Sequence, residues 1–306
     1  MRVGGTISQA SEVTNPTGRS GAEKIALSAI LIVLAVVAGY YLATILIPTP
    51  KIGVINMDTQ VTDTLADIMA REINYARNAD DIKGVVLVIN SPGGGASAGH
   101  DIYFQVRKLR ETKPVVASMD TLAASAAYQI GVGANEVYAK PASIIGNVGV
   151  IMGQPSPETL SERFITTGPF KSTGGSATSW LQMLDLLHAD FRDSVVVERS
   201  KAPNPLKLPA AEVATGKIWV GVEAKEYGLI DELGSRLDAI QRVAELANLK
   251  HYEVVDLRDE YLAALAGDQL SSALKLYEEL DAQPEFDLTS EEIEWPTFYQ
   301  IYLPLE

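Results

Sequence analysis

The chain has 306 residues, and 47% of them are apolar, which is enough to bury one substantial core. It contains no cysteine, so disulfides, thiolate zinc sites and cysteine nucleophiles are excluded. The net charge of −14 is concentrated near the end of the chain, because residues 251–306 carry 14 acidic and two basic side chains. The remainder is nearly neutral and has no basic cluster that would neutralise phosphates, which argues against nucleic acid as a partner.

Residues 25–47 contain no charged side chain. A helix of this length spans about 35 Å, enough to cross a hydrocarbon core of about 30 Å. A cleaved secretory signal would have an apolar stretch of only about 7 to 15 residues, so we predict a retained single-pass transmembrane helix in the lipid bilayer. Residues 1–24 are predicted to be a disordered tail.

The orientation of this span follows from the basic residues around it. Arg2, Arg19 and Lys24 precede the span, whereas Lys51 and then Arg71 follow it. Positive charge favours the cytoplasmic side of a membrane. We therefore predict a cell-membrane protein with a cytoplasmic N terminus and an extracytoplasmic main domain.

After the span, short β-branched runs alternate with helical patterns. The run at 84–89 is apolar without interruption, as in a strand that is buried on both faces. The alternation predicts an α/β fold with parallel pairing. Strands are predicted at 52–57, 84–89, 114–119, 136–139, 144–145 and 149–152. Helices are predicted at 61–77, 96–110, 123–131, 179–200, 210–215 and 235–247, with further helical spacing at 262–280.

A glycine-rich loop, Asn-Ser-Pro-Gly-Gly-Gly at 90–95, lies between a predicted buried strand and a helix. Glycines let backbone N–H groups approach a ligand, and a helix start adds positive potential, so this turn suits an anion. The pattern is neither G-x-G-x-x-G nor a Gly-Lys-Ser/Thr loop, which weakens a nucleotide interpretation. The oxyanion of an acyl-transfer reaction is the better candidate. A plain glycine turn is the structural alternative.

A serine with very small neighbours occurs in Ala-Ala-Ser-Ala-Ala-Tyr at 123–128. A nucleophile needs such bare surroundings, because a peptide carbonyl must come within about 3 Å of its oxygen. On its own this is weak evidence, because a serine among alanines more often reflects ordinary helix packing than catalysis.

Together with Lys-Pro-Val at 113–115, these two segments resemble the protease branch of the ClpP/crotonase fold, an α/β fold of repeated ββα units. Two families compete: ClpP proteases with a Ser-His-Asp triad, and signal peptide peptidase A (peptidase family S49) with a Ser-Lys dyad. A ClpP-like enzyme carries its histidine after an Ala-x-Pro turn, but residues 139–150 contain none. The positions of His100, His188 and His251 do not fit a triad.

Four further segments are similar to signal peptide peptidase A: Gly-Asn-Val-Gly-Val-Ile at 146–151, Thr-Gly-Pro-Phe-Lys-Ser at 167–172, Thr-Gly-Lys-Ile-Trp-Val-Gly at 215–221 and Gly-Leu-Ile-Asp-Glu-Leu-Gly at 228–234. The resemblance covers residues 51–250, the expected peptidase domain. It implies that Ser125 is the nucleophile and that Lys171 is the general base.

The backbone N–H groups of Gly93 and Ala126 are the candidate oxyanion donors, with Gly94 as a near alternative. Two departures from the family pattern surround the site. Asn147 stands where the family usually has serine, and its amide oxygen can accept a hydrogen bond from Lys171 but cannot relay a proton. Ala126 and Ala127 stand where the family mostly has glycines, which narrows the space beside the nucleophile.

The resemblance further implies hydrophobic peptide substrates such as released signal peptides, a homo-oligomeric ring on the membrane, and no metal or organic cofactor. Residues 251–306 match none of the motifs, so they are predicted to form an acidic C-terminal tail. Two alternatives stay open. One is a crotonase-type acyl-CoA enzyme, against which the membrane span and the Lys171 segment argue. The other is a membrane scaffold of the same fold that has lost catalysis.

Overall fold

The computed structural model describes residues 21–46, 48–153, 167–168, 170–171 and 173–283. The chain divides into two compact units, residues 1–48 and 49–306. The described part of the first unit is helix α1 (Gly21–Leu46), which contains a stretch long and apolar enough to cross a membrane. The described side chains of α1 are exposed. Most of the predicted N-terminal tail lies outside the described residues.

One sheet organises the second unit, with the strand order β6-β5-β3-β2-β1-β8 and with β4 pairing β3 and β7. Every described pair is parallel except β5–β6. Both β4 and β5 pair with β3, which is long enough to accommodate them one after the other. The strands are β1 (Lys51–Met57), β2 (Ile82–Ser91), β3 (Val115–Ala124), β4 (Glu136–Ala139), β5 (Ile144–Gly146), β6 (Ile218–Val220), β7 (Glu232–Leu233) and β8 (Glu253–Asp256).

The helices of this unit cover the sheet and its edges. They are α2 (Asp63–Asn78), α3 (Ala96–Arg110), α4 (Ala126–Val132), α5 (Ala177–Ser200), α6 (Ala210–Val213), α7 (Gly221–Glu226), α8 (Arg236–Leu246), α9 (Leu257–Ala264) and α10 (Gly267–Asp281).

The central strands are buried on both faces, which explains their uninterrupted apolar runs. On one face, residues such as Ile55 and Leu87 belong to the larger core cluster, together with residues of α2, α3 and α4. On the other face, Val54, Val86 and Val116 form a second cluster with α8. The site elements that leave the carboxyl ends of β2 and β3 therefore start from a rigid, two-sided core.

Most predicted elements are confirmed, and helix α3 has the predicted bounds 96–110. The strand predicted at 149–152 is wrong, because residues 147–153 have no regular secondary structure. The physical reason lies at Asn147, whose φ of 54° turns the chain away from the direction of β5.

The start of the expected acidic tail, residues 251–283, is folded onto the sheet rather than separate from it. Strand β8 pairs in parallel with β1, in the register Lys51↔Glu253. The side chain of Lys51 forms ion pairs with Asp81 and with Glu260 of α9. Helix α10 packs against α2, where Tyr277 donates a hydrogen bond of 2.6 Å to Glu72. The remaining residues, 284–306, lie outside the described part of the chain.

Candidate active site

Ser125 lies at the sharp turn between β3 and α4, with φ 55° and ψ −129°. A non-glycine residue with positive φ is uncommon and costs free energy, and such strain concentrates at functional sites. The backbone N–H of Ser125 donates to the carbonyl of Gly146 at 2.9 Å, which anchors the turn to β5. Its hydroxyl forms no hydrogen bond within the described part of the chain, and the residue is only 8% exposed. The turn thus presents an uncommitted hydroxyl at the start of a helix.

The glycine loop after β2 lies directly against this turn. Gly93 has φ 94°, and a Cβ atom at this position would lie 2.8 Å from the Ser125 Cβ and 2.9 Å from the Ala126 nitrogen. A Cβ on Gly94 would lie 2.2 Å from the carbonyl oxygen of Val61. Only glycine permits this approach of backbone to backbone. The two segments singled out in the sequence therefore meet in the fold.

Val61 holds the glycine loop in place through its backbone. Its N–H donates to the Gly93 carbonyl at 2.8 Å, and its carbonyl accepts from the Gly95 N–H at 2.9 Å. Val61 is itself buried in the core, immediately before the Thr62 cap of α2. The position of the loop is thus fixed by the turn between β1 and α2, a relationship that the sequence pattern did not reveal.

The expected oxyanion donors differ in their present hydrogen bonding. The Gly93 N–H donates to Ser91 Oγ at 3.2 Å. Among the described residues, no hydrogen bond uses the N–H of Gly94, nor that of Ala126, the first residue of α4. First-turn helix N–H groups have no intrahelical partner and are available to an anion. Ala126 and Gly94 are therefore the donors that are free to receive an oxyanion.

Ala126 fits beside the nucleophile because α3 has a glycine opposite it. A Cβ on Gly99 would lie 2.8 Å from the Ala126 methyl carbon, so the space for this methyl group is provided by Gly99. We expected the methyl group of Ala126 to narrow the space beside Ser125. Gly99 of α3, which has no side chain, instead leaves room for this methyl group.

Lys171 is exposed, and its backbone N–H donates to the Gly168 carbonyl at 3.3 Å. Its side chain forms no hydrogen bond or ion pair with Ser125 or with any other described residue. Asn147 donates from its side-chain amide to the Gly216 carbonyl and from its backbone N–H to the Lys217 carbonyl, both at 2.8 Å. The single chain therefore brings together Ser125, the glycine loop and the Gly146-Asn147 turn, but it does not bring Lys171 into contact with Ser125.

The histidines have partners other than Ser125. His100 Nε2 lies 2.6 Å from Asp190 Oδ2 and 3.2 Å from Gln129 Nε2, and its Nδ1 lies 3.0 Å from the Ala96 carbonyl oxygen. His188 Nε2 lies 2.7 Å from a carbonyl oxygen, that of Ala214. His251 is exposed. Within the described residues, no histidine forms a hydrogen bond with Ser125. No group of three His, Asp or Glu side chains there could hold a metal ion.

The helix that begins after Ser125 is anchored at its far side by a buried polar network. Tyr128, which is fully buried, donates to the Leu229 carbonyl at 2.7 Å. Nearby, Arg199 and Asp231 form a two-pronged ion pair at 2.8 and 2.9 Å. Asp231 also accepts from the Val137 N–H. This network gives the sequence segment 228–234 a structural role, namely to fix α4 against β4 and α5.

Comparisons with known proteins indicate which families this chain is similar to. Residues 107–250 match the model of Peptidase family S49, and residues 46–157 match that of Clp protease. The two matches overlap across the β3–α4 turn and confirm the predicted Clp-protease-like α/β fold.

Several relatives of this chain are proteases by name. A candidate protease of Methanocaldococcus jannaschii is 33% identical over 191 residues, which are 58% of this chain and 60% of that protein. Protease 4 of Salmonella typhi is 31% identical over 208 residues, 63% of this chain and 33% of the relative. The chloroplastic serine protease SPPA of Arabidopsis thaliana is 28% identical over 204 residues, 63% of this chain and 30% of the relative. The chain thus spans 60% or less of the length of these relatives, and the match supports a protease.

Proposed function

We propose that this chain is a membrane-anchored serine endopeptidase with Ser125 as nucleophile and Lys171 as general base. The observation that carries the proposal is the strained turn at Ser125, whose hydroxyl has no described partner and which lies against the glycine loop. The N–H groups of Gly94 in this loop and of Ala126 have no acceptor among the described residues. This arrangement suits acyl transfer, because it supplies an oxygen nucleophile and a place for the developing oxyanion.

In the proposed reaction, Lys171 Nζ accepts the Ser125 hydroxyl proton while Ser125 Oγ attacks the peptide carbonyl carbon. The oxyanion is stabilised by the N–H groups of Ala126 and of the glycine loop. Collapse breaks the C–N bond, and the proton passes from Lys171 to the leaving amine. In the second half of the reaction, water attacks the acyl carbon while Lys171 Nζ accepts a proton from it. The bond between the acyl carbon and Ser125 Oγ then breaks, and Lys171 returns the proton to Ser125 Oγ.

A lysine can act as a base near neutral pH only where it is removed from water. Because Lys171 is exposed in the single chain, the proposal includes a homo-oligomer in which Lys171 is buried next to Ser125 of the same or a neighbouring copy. Exposed apolar side chains in this region support such an assembly. They are Phe170, Leu181, Met183 and Leu186. The proposed assembly is a ring, with α1 in the lipid bilayer and the second unit outside the cytoplasm.

The proposed substrates are hydrophobic peptides, with released signal peptides as the leading class. Support comes from the similarity to relatives such as the Arabidopsis protease SPPA and from the apolar helix α1, which would hold the enzyme where such peptides occur. The S49 match includes the Lys171 segment, which argues against the crotonase-type alternative.

The test is hydrolysis of a fluorogenic hydrophobic peptide by the full chain in detergent. Ser125→Ala and Lys171→Ala should each abolish hydrolysis, whereas the exposed controls Ser97→Ala and Lys201→Ala should retain it. Activity that survives Lys171→Ala but is lost in His100→Ala would refute the dyad. A folded wild-type protein that is inactive in every assembly state would favour the scaffold alternative, to which the departure at Asn147 points.

A further inference from the structure

Helix α10 is far from Ser125 in sequence, yet it contacts the element that holds the glycine loop. Tyr277 donates to Glu72 in the middle of α2, and Thr64 in the first turn of α2 donates to Glu279 at 3.2 Å. Just after α10, Gln283 Nε2 lies 3.4 Å from Thr62 Oγ1, a long hydrogen bond to the cap of α2. The contacts of α10 thus run along α2 to its N-terminal end.

The N-terminal end of α2 is joined directly to the glycine loop. Thr62 caps the helix by accepting from the Leu65 N–H. The preceding residue, Val61, forms two backbone hydrogen bonds with the loop, one to the Gly93 carbonyl and one from the Gly95 N–H. A shift of the first turn of α2 would therefore move the loop relative to Ser125.

An open pocket of about 450 Å³ lies beside the seam between α10 and α2, and the residues that line it include Asp58, Leu65, Met69 and Leu280. The polar contacts of Tyr277, Glu279 and Gln283 cross this seam. Arg258 reinforces them, because its guanidinium lies 4.3 Å from the centre of the Tyr277 ring and pairs with Asp281 at 2.6 Å.

We propose that α10 is a positioning element for catalysis, which fixes the first turn of α2 and thereby holds the glycine loop at the distance from Ser125 that oxyanion binding requires. The inference rests on the proposed function, since it assigns α10 a role in that reaction. None of the α10 residues is expected to touch the substrate. They act through Thr62 and Val61.

The test compares two double variants of the full chain in detergent. Glu279→Ala with Gln283→Ala removes both contacts to the first turn of α2, whereas Lys275→Ala with Glu278→Ala changes only exposed positions of the same helix. Two quantities are measured: the rate of Ser125 labelling by a fluorophosphonate, and amide hydrogen exchange at Val61 and Gly95.

Ser125 of the first double variant should be labelled about 10-fold more slowly. Complete loss of an oxyanion donor lowers the rate by roughly 100- to 1,000-fold, and here the donor is displaced rather than removed. Exchange at Val61 and Gly95 should become faster, and the control should match the wild type. Thr64→Val removes one of the same hydrogen bonds from the α2 side and should change both readouts in the same direction. Glu279→Gln keeps an acceptor for Thr64 and should behave as wild type.

The inference is overturned if Val61 and Gly95 exchange their amide hydrogens at the wild-type rate in both the first double variant and Thr64→Val. This holds whatever the labelling rate. A wild-type protein that is not labelled at Ser125 would instead refute the proposed function. Because exchange does not depend on catalysis, the link between α10 and the loop is decided in either case.

Discussion

Glu72 provides a sharp test of the packing of α10 on α2. It is only 5% exposed and accepts the 2.6 Å hydrogen bond from Tyr277. Burial raises the pKa of Glu72 from 4.5 to about 7, although the Tyr277 hydrogen bond opposes the shift. The folded protein therefore holds this proton more tightly than the unfolded chain does. Glu72→Gln keeps an acceptor for Tyr277 but cannot ionise.

The sign of the effect on stability follows from the raised pKa. Below about pH 4.5 the carboxyl is protonated in both states, and its contribution is fully present. As the pH rises through the folded pKa of about 7, this contribution is lost. At 1.36 kcal/mol for each pH unit, the total loss is about 3 kcal/mol. Glu72→Gln should lack this component of the pH dependence and should be more stable than wild type at pH 8 by up to about 3 kcal/mol.

The assay is urea unfolding in detergent at pH 5 and pH 8, followed by tryptophan fluorescence. All three tryptophans of the chain, Trp180, Trp219 and Trp295, follow residue 48, so the signal comes from the second unit, in which Trp219 is buried. The exposed control Glu278→Gln should follow the wild type at both pH values. Equal pH dependence in wild type and Glu72→Gln would refute the assignment of Glu72 as a neutral buried acid.

Three further outcomes are expected. Arg199→Ala leaves Asp231 buried without its ion-pair partner and should lower the free energy of unfolding by about 3 to 5 kcal/mol in urea unfolding. A loss below about 1 kcal/mol would contradict the structure. Gly94→Ala places a Cβ 2.2 Å from the Val61 carbonyl oxygen and should slow Ser125 labelling at least about 10-fold, whereas Gly95→Ala, whose Cβ has no atom closer than 3.7 Å, should not. Protease added outside intact spheroplasts should digest the second unit, and its protection would reverse the proposed topology.

The sequence predicted best those elements whose signal is local. The apolar run of β2 and the helical pattern of α3 each lie within one continuous stretch, and both were predicted close to their observed bounds. The short strands β6, β7 and β8 were not predicted, because they have few residues and are defined by distant partners. Strand β8, for example, pairs with Lys51 at the other end of the unit. The same reason explains why residues 251–283 were expected to be a tail.

Some features of the candidate site could likewise be predicted from the sequence, and others could not. The glycine loop and Ser125 follow neighbouring parallel strands, so their meeting could be inferred from the order of elements. The support of the loop by Val61 could not, since it is made by backbone groups that leave no residue pattern. Lys171 was assigned only by resemblance, and its exposed side chain makes no hydrogen bond or ion pair with another described residue that would point to the same role.

The role of Ser125 as nucleophile is tested most directly by identifying the residue that a fluorophosphonate modifies. The full chain in detergent would be labelled, digested and analysed by mass spectrometry. We expect a single modified serine, Ser125, with labelling lost in Lys171→Ala and retained in Lys201→Ala. A folded, assembled protein that is not labelled at Ser125, or that is labelled at another serine with Ser125 intact, would contradict this role.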